Sequence, residues 1–394
     1  MPNSLSERNR RWDLLNKSMQ ENDVDALIFS ANDYRGHKGA LRYVADYNLP
    51  HRSGNAVMFK DEEPILVLSG NLSGARKATT GWVSDYRCPG TIAQGLVDAL
   101  KRRKKFTRVG IVGLGQIMKV DEYLALTTSY PQVEFIDYSA QFELIRAVKS
   151  AAEIRGTEES AYILDQCFSR LLEIARPGTT EREIGAEMYK VGHQLGGEDP
   201  LFLTMYTETD GGQTNATFGP PRDRVLNAHD IHTFSFEIVG PKGYWTELSR
   251  MVTFAQPTDD YDRMARAVTK GLAAASMEMK PGASPSRIQR SVLKAIESEG
   301  ASSSYWSGHS LGLDVLEHPW IGLDVVEDGT QSDDTMIQAG YVLAVHPMVR
   351  DDAAGASGYM ADSFVIDDSG SRKLSEHPTG LYRISKGEVN VNEY

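Results

Sequence analysis

A pattern that occurs twice constrains the fold of this 394-residue chain more than any other feature of the sequence. In the first copy a long helical segment, Ala151–Ala175, ends at Arg176-Pro177-Gly178, which is helix-ending chemistry. Thr180 then begins a second helix, and Glu183 supplies the partner residue of a capping box. A stretch of β character, Phe202–Phe254, follows this helix pair.

The second copy repeats the same order of elements further along the chain. Asp259–Met279 is a long helical segment that ends at Lys280-Pro281-Gly282, and Ser284 can cap a further helix, Ser286–Glu299. A second β region, Tyr305–Ile366, comes next. Chance recurrence is the alternative, but two β regions in register with the helix pairs favour an internal duplication. Two half-domains would then face each other, with a site where their sheets meet.

The residues before the duplication have the pattern of a separate α/β domain. Helical spacing covers Glu7–Asn22 and Ile92–Lys101. Short apolar runs typical of strands occupy Ala26–Phe29, Ala56–Phe59, Pro64–Leu68 and Val109–Val112. We therefore predict a mixed α/β (α+β) protein with one domain over residues 1–145 and a duplicated domain over residues 146–394.

Composition excludes several classes of protein. Lys and Arg number 42 against 54 Asp and Glu, for a net charge of −12, so we expect no nucleic-acid partner. Cys88 and Cys167 are too few for a disulfide framework or a multi-cysteine metal site, and they fit a reducing cytoplasm. No apolar stretch has the length of a membrane span, and no apolar segment typical of a secretory signal follows the N-terminus. We expect a cytoplasmic protein that acts on a small molecule, away from membranes.

The first half of the duplication contains a predicted β-hairpin that carries two carboxylates. Its arms are Ile231–Val239 and Tyr244–Arg250, joined by the turn Gly240-Pro241-Lys242-Gly243. Glu237 and Glu247 lie within these otherwise apolar arms, and acidic residues are rarely buried without a partner. A shared cation, an arginine or a catalytic role would explain them; the alternative is an outer face in solvent.

The second half supplies imidazoles instead. His309 lies between glycines in Gly308–Gly312, which allows close approach of the backbone, and His318 follows soon after. His346 ends an apolar strand. A lone histidine in such a place is usually a core residue, but two carboxylates in one half and imidazoles in the other suit Zn, Mn or Fe, or acid–base catalysis.

Four local motifs resemble the pita-bread family of methionine aminopeptidase, aminopeptidase P, prolidase and creatinase. Leu144–Lys149 is similar to the family's entry to its catalytic domain, and Thr246–Arg250 resembles its Ser-Asp-Ile-Thr-Arg strand. Gly308–Gly312 resembles Gly-His-Gly-Ile-Gly, and Val345-His346-Pro347 occupies the place of Ile-Glu-Pro. The resemblance implies a creatinase-type N-terminal domain, a pita-bread catalytic domain with a pseudo-two-fold axis, and a homodimer.

The chain departs from the ligand set of the family's metal-dependent members, which is Asp, Asp, His, Glu, Glu. Carried over in that order, the ligand positions fall on Phe236 or Glu237, then Glu247, His309, His346 and Ala361. Ala361 cannot bind a metal, and Asp362 is only an adjacent substitute. The resemblance therefore implies at most one divalent ion (Mn, Fe or Zn), held by Glu237, Glu247, His309 and His346. A metal-free site is the open alternative.

Two other members of the family are similar in places. Creatinase works without a metal, but its base histidine would fall near Phe218 here. Ile238–Gly243, with Glu237 and Glu247 on either side, resembles the dimethylsulfoniopropionate lyases of this fold, although Ser235 stands where those enzymes have an Asp. A lyase that performs a β-elimination is thus a second hypothesis, and a non-catalytic ligand-binding descendant is a third.

The first hypothesis is a hydrolase that cleaves an amide-like C–N bond in a small molecule or dipeptide. Glu237 or Glu247 would act as the base on water, and His309 would polarise the substrate or bind the metal. His318 or His346 would protonate the leaving nitrogen. The residues expected to contact the substrate are His318, Trp306, Tyr359 and Phe218, whose rings suit a quaternary nitrogen or a planar group, although such rings are often simply core.

Overall fold

The computed structural model describes residues 4–69, 81–198, 201–210, 217–304, 306–322, 335–385 and 387–394. The chain divides into two compact units. The smaller consists of Met1–Arg146 with Leu313–Val315, and the larger of Ala147–Gly312 with Leu316–Tyr394. No helix in the described ranges combines the length and apolar character that crossing a bilayer requires.

The smaller unit is an α/β domain built around one mixed sheet. Its described helices are α1 (Leu5–Glu21), α2 (Gly39–Ala45), α3 (Ile92–Leu100), α4 (Val120–Ser129) and α5 (Ser139–Ala147). Its described strands are β1 (Ala26–Asn32), β2 (Ser53–Phe59), β3 (Ile65–Leu68), β4 (Asp85–Arg87), β5 (Arg108–Val112) and β6 (Glu134–Asp137). They pair in the order β4-β3-β2-β1-β5-β6. The strands expected from apolar runs form its buried centre.

The short segment Leu313–Val315 belongs to the smaller unit because of one buried carboxylate. Asp314 Oδ1 accepts hydrogen bonds from the backbone N–H groups of Lys38 and Gly39, at 2.9 and 2.7 Å. Arg146 donates to its Oδ2 at 2.6 Å. A side chain at Gly39 would collide with this carboxylate, so a glycine is required there.

The larger unit contains the two predicted helix pairs. They are α6 (Ala151–Ile174) with α7 (Glu181–Gln194), and α8 (Asp259–Glu278) with α9 (Pro285–Glu297). The predicted capping box is present, since Glu183 N–H donates to Thr180 Oγ1 at 3.1 Å and Thr180 N–H donates to the Glu183 carboxylate at 2.8 Å. The sequence pattern therefore predicted both where these helices are and how they begin.

A separate sheet follows each helix pair. The remaining described strands are β7 (Phe202–Thr209), β8 (Asp230–Val239), β9 (Trp245–Thr253), β10 (Ser302–Ser303), β11 (Trp306–Ser310), β12 (Glu317–Gly322), β13 (Val342–Val345), β14 (Met348–Asp351), β15 (Ala356–Tyr359), β16 (Asp362–Asp367), β17 (Gly370–Lys373), β18 (Leu381–Ser385) and β19 (Glu388–Asn392). The first sheet has the order β19-β18-β9-β8-β7 and the second β12-β11-β13-β16-β17. Strands β10, β14 and β15 form a small third sheet.

The first and second sheets meet at β9 and β16. Ser249 N–H donates to Ala361 O at 3.1 Å, and Ala361 N–H donates to Ser249 O at 3.2 Å. Behind the second sheet, apolar side chains of α8 and α9 pack with those of β13 and β16 in one buried cluster. The seam between the two sheets is therefore fixed by backbone pairing and supported by a continuous core.

Candidate active site

The predicted hairpin places its two carboxylates opposite each other. β8 and β9 pair antiparallel, with Glu237 directly across from Glu247, and Gly243 in the turn has a φ of 83°. Glu247 is 3 % exposed and Glu237 is half-buried. The alternative of an outer face in solvent is therefore wrong for Glu247.

Only one oxygen of the Glu247 carboxylate accepts hydrogen bonds from the described residues. Its Oε1 accepts hydrogen bonds from Ser235 Oγ and from Tyr359 OH, each at 3.1 Å. Its Oε2 is buried and has no hydrogen-bond partner among the described residues. Burial raises the pKa of this carboxyl group. A buried carboxylate oxygen without a donor is costly, so this atom is suited to bind a cation or a proton.

Two imidazoles of the second half approach this open oxygen. His309 Nδ1 lies 3.0 Å from Ser310 O, and since a carbonyl oxygen only accepts, Nδ1 carries the hydrogen. Burial lowers the pKa of His309 and of His346 to about 4, so both rings are neutral at pH 7. His309 Nε2, which then carries a lone pair and no hydrogen, lies 3.9 Å from Glu247 Oε2. Two acceptors face each other across a gap that a positive charge would fill.

The donor set fits a single metal ion. Glu247, His309 and His346 each offer one ligand atom, and these atoms all lie within 4.8 Å of one another. The Nδ1 hydrogen bond of His309 leaves Nε2 as the ligand nitrogen, which is the usual arrangement of a metal-binding histidine. Two neutral imidazoles with one carboxylate are a donor set that Zn, Mn or Fe accepts.

Glu237 does not join these three ligand atoms, in contrast to the predicted four-residue set. Glu237 is further from the imidazoles because of the strand that carries it. Glu247 is on β9, which adjoins the second sheet, whereas Glu237 is on β8, one strand further away. His309 and His346 belong to the second sheet and its end, so they reach Glu247 first. Glu237 stays beside the trio on the same face of the hairpin.

The two positions at the end of the predicted ligand series are structural. Ala361 contributes only its backbone, which forms the bridge to Ser249. The carboxylate of Asp362 accepts from Arg250 Nη2 at 2.8 Å and from Thr379 Oγ1 at 2.6 Å, and its side chain is fully buried. Asp362 as a substitute ligand is therefore wrong, because both of its oxygens are already occupied.

The predicted substrate residues lie around the three ligand side chains. Ring centroids of Trp306 and His346 are 4.7 Å apart, and those of Tyr359 and His346 are 6.0 Å apart. Phe218 lies 4.8 Å from Tyr359. His318 is separated from the ligand side chains by the ring of Trp320. The ring centroids of His318 and Trp320 are 6.0 Å apart, and those of Trp320 and His309 are 5.6 Å apart.

The sequence did not point to Trp320 as a site residue, and it pointed to Ser235 only as the residue that replaces an Asp of the lyases. Trp320 pairs directly across from His309 on the neighbouring strand, and its Nε1 donates to His318 Nε2 at 3.2 Å. Its position two residues after His318 in an alternating strand was an available signal. Ser235, which donates to Glu247, shares the face of Glu237 by the same period of two.

Two family profiles match this chain in succession. Residues 11–148 match the Creatinase/Prolidase N-terminal domain, and residues 155–370 match Metallopeptidase family M24. The uncharacterized hydrolase/peptidase y4tL of Sinorhizobium fredii is 24 % identical over 394 residues, which cover 94 % of this chain and 95 % of that protein. The uncharacterized peptidase YqhT of Bacillus subtilis is also 24 % identical, over 67 % of this chain and 72 % of its own length. The match to the staphylococcal peptidase SAS1635 spans 66 % of that protein.

Solved structures share the fold along nearly the whole chain. The dipeptidase PepE of Mycobacterium ulcerans has a TM-score of 0.79 at 17 % identity, covering 98 % of this chain and all of that one. The Xaa-Pro dipeptidase of Bacillus anthracis has a TM-score of 0.77 at 18 % identity, over 96 % of this chain and 99 % of its own. At this level of identity the likeness establishes the architecture.

Proposed function

Because this chain belongs to metallopeptidase family M24, we propose that it is a hydrolase that cleaves an amide-type C–N bond in a small molecule or dipeptide. The observation that carries the proposal is the buried trio of Glu247, His309 and His346, with an open carboxylate oxygen facing an imidazole lone pair. Relatives that are named as peptidases support the same class of reaction.

Glu247, His309 and His346 would hold one divalent ion, either Zn, Mn or Fe. Such an ion supplies Lewis-acid polarisation of a carbonyl oxygen and of a water molecule. The chain's own contribution is to keep the two imidazoles neutral by burial and to orient His309 through its hydrogen bond to Ser310 O.

Glu247 would be the carboxylate ligand of that ion through Oε2. Ser235 and Tyr359 hold Oε1, which fixes the plane of the carboxylate and directs Oε2 toward the reacting atoms. Because both oxygens of Glu247 are then engaged, the proton of the attacking water would pass to Glu237, which lies directly across the hairpin.

His318 is the proposed proton donor to the leaving nitrogen. The ring of His318 is oriented by Trp320, whose indole Nε1 donates to His318 Nε2 at 3.2 Å. The rings of Trp306, Phe218 and Tyr359 would exclude bulk water around the transfer.

The reaction class is tested by product mass in ¹⁸O-labelled water. A panel of Xaa-Pro dipeptides and small N-acyl compounds is incubated with the protein, and each product is analysed by mass spectrometry. We expect one labelled oxygen in the acid product and summed product masses one water above the substrate. Products whose masses sum to that of the substrate would indicate β-elimination and contradict the proposal.

A homodimer and a cytoplasmic location complete the proposal. The homodimer rests on the family resemblance, and the cytoplasmic location rests on the cysteine-poor sequence. Light scattering coupled to gel filtration is expected to give twice the 43.6 kDa mass of one chain. A single-chain mass at micromolar concentration would contradict the dimer.

A further inference from the structure

A buried lysine ends the motif Leu144–Lys149, to which the proposed reaction gives no role. The Lys149 side chain is 2 % exposed, and its Nζ donates to Glu317 Oε2 at 3.0 Å and to Ser310 Oγ at 3.2 Å. The side chain of Glu317 is 1 % exposed. Lysine and glutamate are rarely buried to this depth unless they are paired. The larger unit therefore contains an ion pair, Lys149 with Glu317, that is shielded from solvent.

The backbone of Lys149 is fixed just before β13. Lys149 N–H donates to Gly340 O at 2.9 Å, and Gly340 N–H donates to Ile366 O at 2.8 Å. Gly340 has a φ of 91°, and a side chain there would press against Lys149 O at 3.0 Å. The ammonium group thus extends from a backbone position that is tied to the second sheet.

Ser310 connects this ammonium group to the strand of the first imidazole ligand. Its Oγ accepts from Lys149 and donates to Val342 O at 2.9 Å. Leu311 N–H donates to the same carbonyl group, also at 2.9 Å. The backbone carbonyl of Ser310 accepts the hydrogen bond from His309 Nδ1 that leaves Nε2 as the ligand nitrogen. The residue that orients His309 is therefore itself held from two sides.

Glu317 connects the same ammonium group to the strand of the proposed proton donor. Glu317 begins β12 directly across from Ser310, and His318 is the next residue. The Glu317 carboxylate lies against Gly312, where a Cβ would collide with both carboxylate oxygens, so a glycine is required there. One ammonium group thus holds β11 and β12 together beside His309 and His318.

An ion pair at this depth contributes little net stability. Removing two charges from water offsets most of their attraction, and apolar side chains of similar volume are often as stabilising. An ammonium group, however, donates to acceptors on two strands at once and so fixes their directions, which an apolar side chain cannot do. The position of Lys149 and Glu317 next to two site histidines indicates that this directional effect is their role.

We propose that Lys149 and Glu317 are positioning residues of the site. Through Ser310 the pair fixes the orientation of the His309 ring, and through β12 it places His318. The inference rests on the proposed function for the roles of these two histidines. Neither Lys149 nor Glu317 acts on the substrate itself.

Removal of both charges together tests the proposal in a chain without an unpaired buried charge. Lys149→Met alone would leave the Glu317 carboxylate without its partner, so it is combined with Glu317→Gln. The chelator-stripped protein is titrated with Co²⁺, whose visible absorption depends on the geometry of its ligands. We expect about tenfold weaker Co²⁺ binding with an altered spectrum, and about a tenfold lower kcat with KM within about twofold of the wild-type value.

A second buried ion pair provides the matched control. Arg11 and Glu7 pair at 3.1 Å on α1, with side chains that are 0 % and 6 % exposed. Arg11→Met combined with Glu7→Gln should leave the Co²⁺ affinity, the spectrum and kcat unchanged. Equal changes in the control and in the Lys149→Met/Glu317→Gln variant would overturn the proposal. Wild-type Co²⁺ binding and kcat in that variant, with wild-type thermal unfolding, would overturn it as well.

A single substitution decides the question if the Lys149→Met/Glu317→Gln variant does not fold. Ser310→Ala removes the hydroxyl group between the ammonium group and β11 but keeps the ion pair. We expect about fivefold weaker Co²⁺ binding, which corresponds to the loss of one hydrogen bond. Unchanged Co²⁺ binding in Ser310→Ala would overturn the proposal.

The positioning role and the proposed function fail separately. Hydrolysis with an unchanged kcat in the folded Lys149→Met/Glu317→Gln variant would leave the proposed function intact and remove the positioning role. Weaker Co²⁺ binding in the variants of a protein whose products contain no added water would do the opposite. A wild-type protein that binds no Co²⁺ would contradict the metal centre, and the comparison of kcat values would then decide the positioning role.

Discussion

Two buried acid–base pairs connect β9 to the second sheet, and they differ in how completely their atoms are satisfied. Arg250 pairs with Asp362, and both side chains are fully buried. The guanidinium also donates to four backbone carbonyl groups, those of Ser249, Ala361, His377 and Pro378, at 2.8–3.0 Å. Every N–H group of the guanidinium therefore has an acceptor within the protein.

The second pair, Glu247 with His309, is equally buried but incomplete. The two side chains approach no closer than 3.9 Å, and Glu247 Oε2 has no hydrogen bond within the described part of the chain. Arg250 and Glu247 lie three residues apart on one strand and so point to opposite faces of it. The side chain of Arg250, on one face of β9, joins the two sheets. The side chain of Glu247, on the other face, keeps a carboxylate oxygen without a hydrogen bond from the described residues.

The largest expected effect is the loss of stability when the Arg250–Asp362 pair is broken. Asp362→Ala removes the partner of a buried guanidinium, so the free energy of unfolding should fall by about 3–5 kcal/mol. Urea denaturation followed by circular dichroism measures it. Asp223→Ala, which breaks the exposed pair with Arg182, is the control and should change stability by less than about 1 kcal/mol. Similar losses in both variants would mean that Arg250–Asp362 does not hold the seam.

The next effect concerns activity. Glu247→Gln keeps the shape of the side chain but removes the open carboxylate, so kcat/KM should fall about 10²- to 10³-fold, as for the loss of one group that acts in the transition state. In the chelator-stripped protein the free energy of unfolding should stay within about 1 kcal/mol of the wild-type value, because without a bound ion a buried carboxylate with an open oxygen is itself costly. A stability loss as large as that of Asp362→Ala would remove the contrast between the pairs.

A buried histidine outside the site should govern part of the acid response. Burial lowers the pKa of His232 on β8 to about 4, against an ordinary value near 6.5 in the unfolded chain. Between pH 6.5 and 4 the unfolded state binds a proton that the folded state does not, so stability falls as pH falls. Integrated over that range, the loss approaches about 3 kcal/mol.

Denaturation curves at several pH values check this sign. His232→Gln should flatten the decline between pH 6.5 and 4, whereas His193→Gln, at an exposed position, should not. An unchanged slope in His232→Gln would show that other groups cause the acid response.

The smallest expected effect tests the hydrogen bonds that orient the open pair. Tyr359→Phe removes one of the two donors to Glu247 Oε1, which should cost about 1 kcal/mol, or about a fivefold loss of kcat. Ser235→Ala removes the other donor and should have an effect of similar size. Steady-state kinetics on a substrate from the hydrolysis assay measures both. A loss of activity as large as that of Glu247→Gln would show that the orientation of the Glu247 carboxylate, and not its charge, determines the rate.

Local patterns in the sequence predicted the scaffold well. Both helix pairs, the Thr180 capping box and the hairpin of β8 and β9 follow from periodicity, caps and Gly-Pro turns, which act over a few residues. The parallel pairing of β18 with β9 was not predicted, because it joins Leu381 to Met251 and no local signal encodes so distant a contact.

The site was predictable in residue type but not in arrangement. The sequence placed Glu237 and Glu247 on opposite arms of one hairpin, yet only the bridge from Ser249 to Ala361 decides which strand meets the imidazoles. Asp362 looked available in the sequence because its partner Arg250 is far away along the chain. Such choices depend on the packing of the two sheets, which a single sequence does not encode locally.

Metal stoichiometry tests the central claim most directly. The protein is stripped with a chelator, dialysed, and titrated by calorimetry with Zn²⁺ and separately with Mn²⁺, and the bound metal is then counted by elemental analysis. We predict one ion per chain, bound with release of protons where the ligands were protonated, and loss of that binding in His309→Ala and Glu247→Gln. No bound ion, two ions per chain, or one ion that survives both substitutions would contradict it.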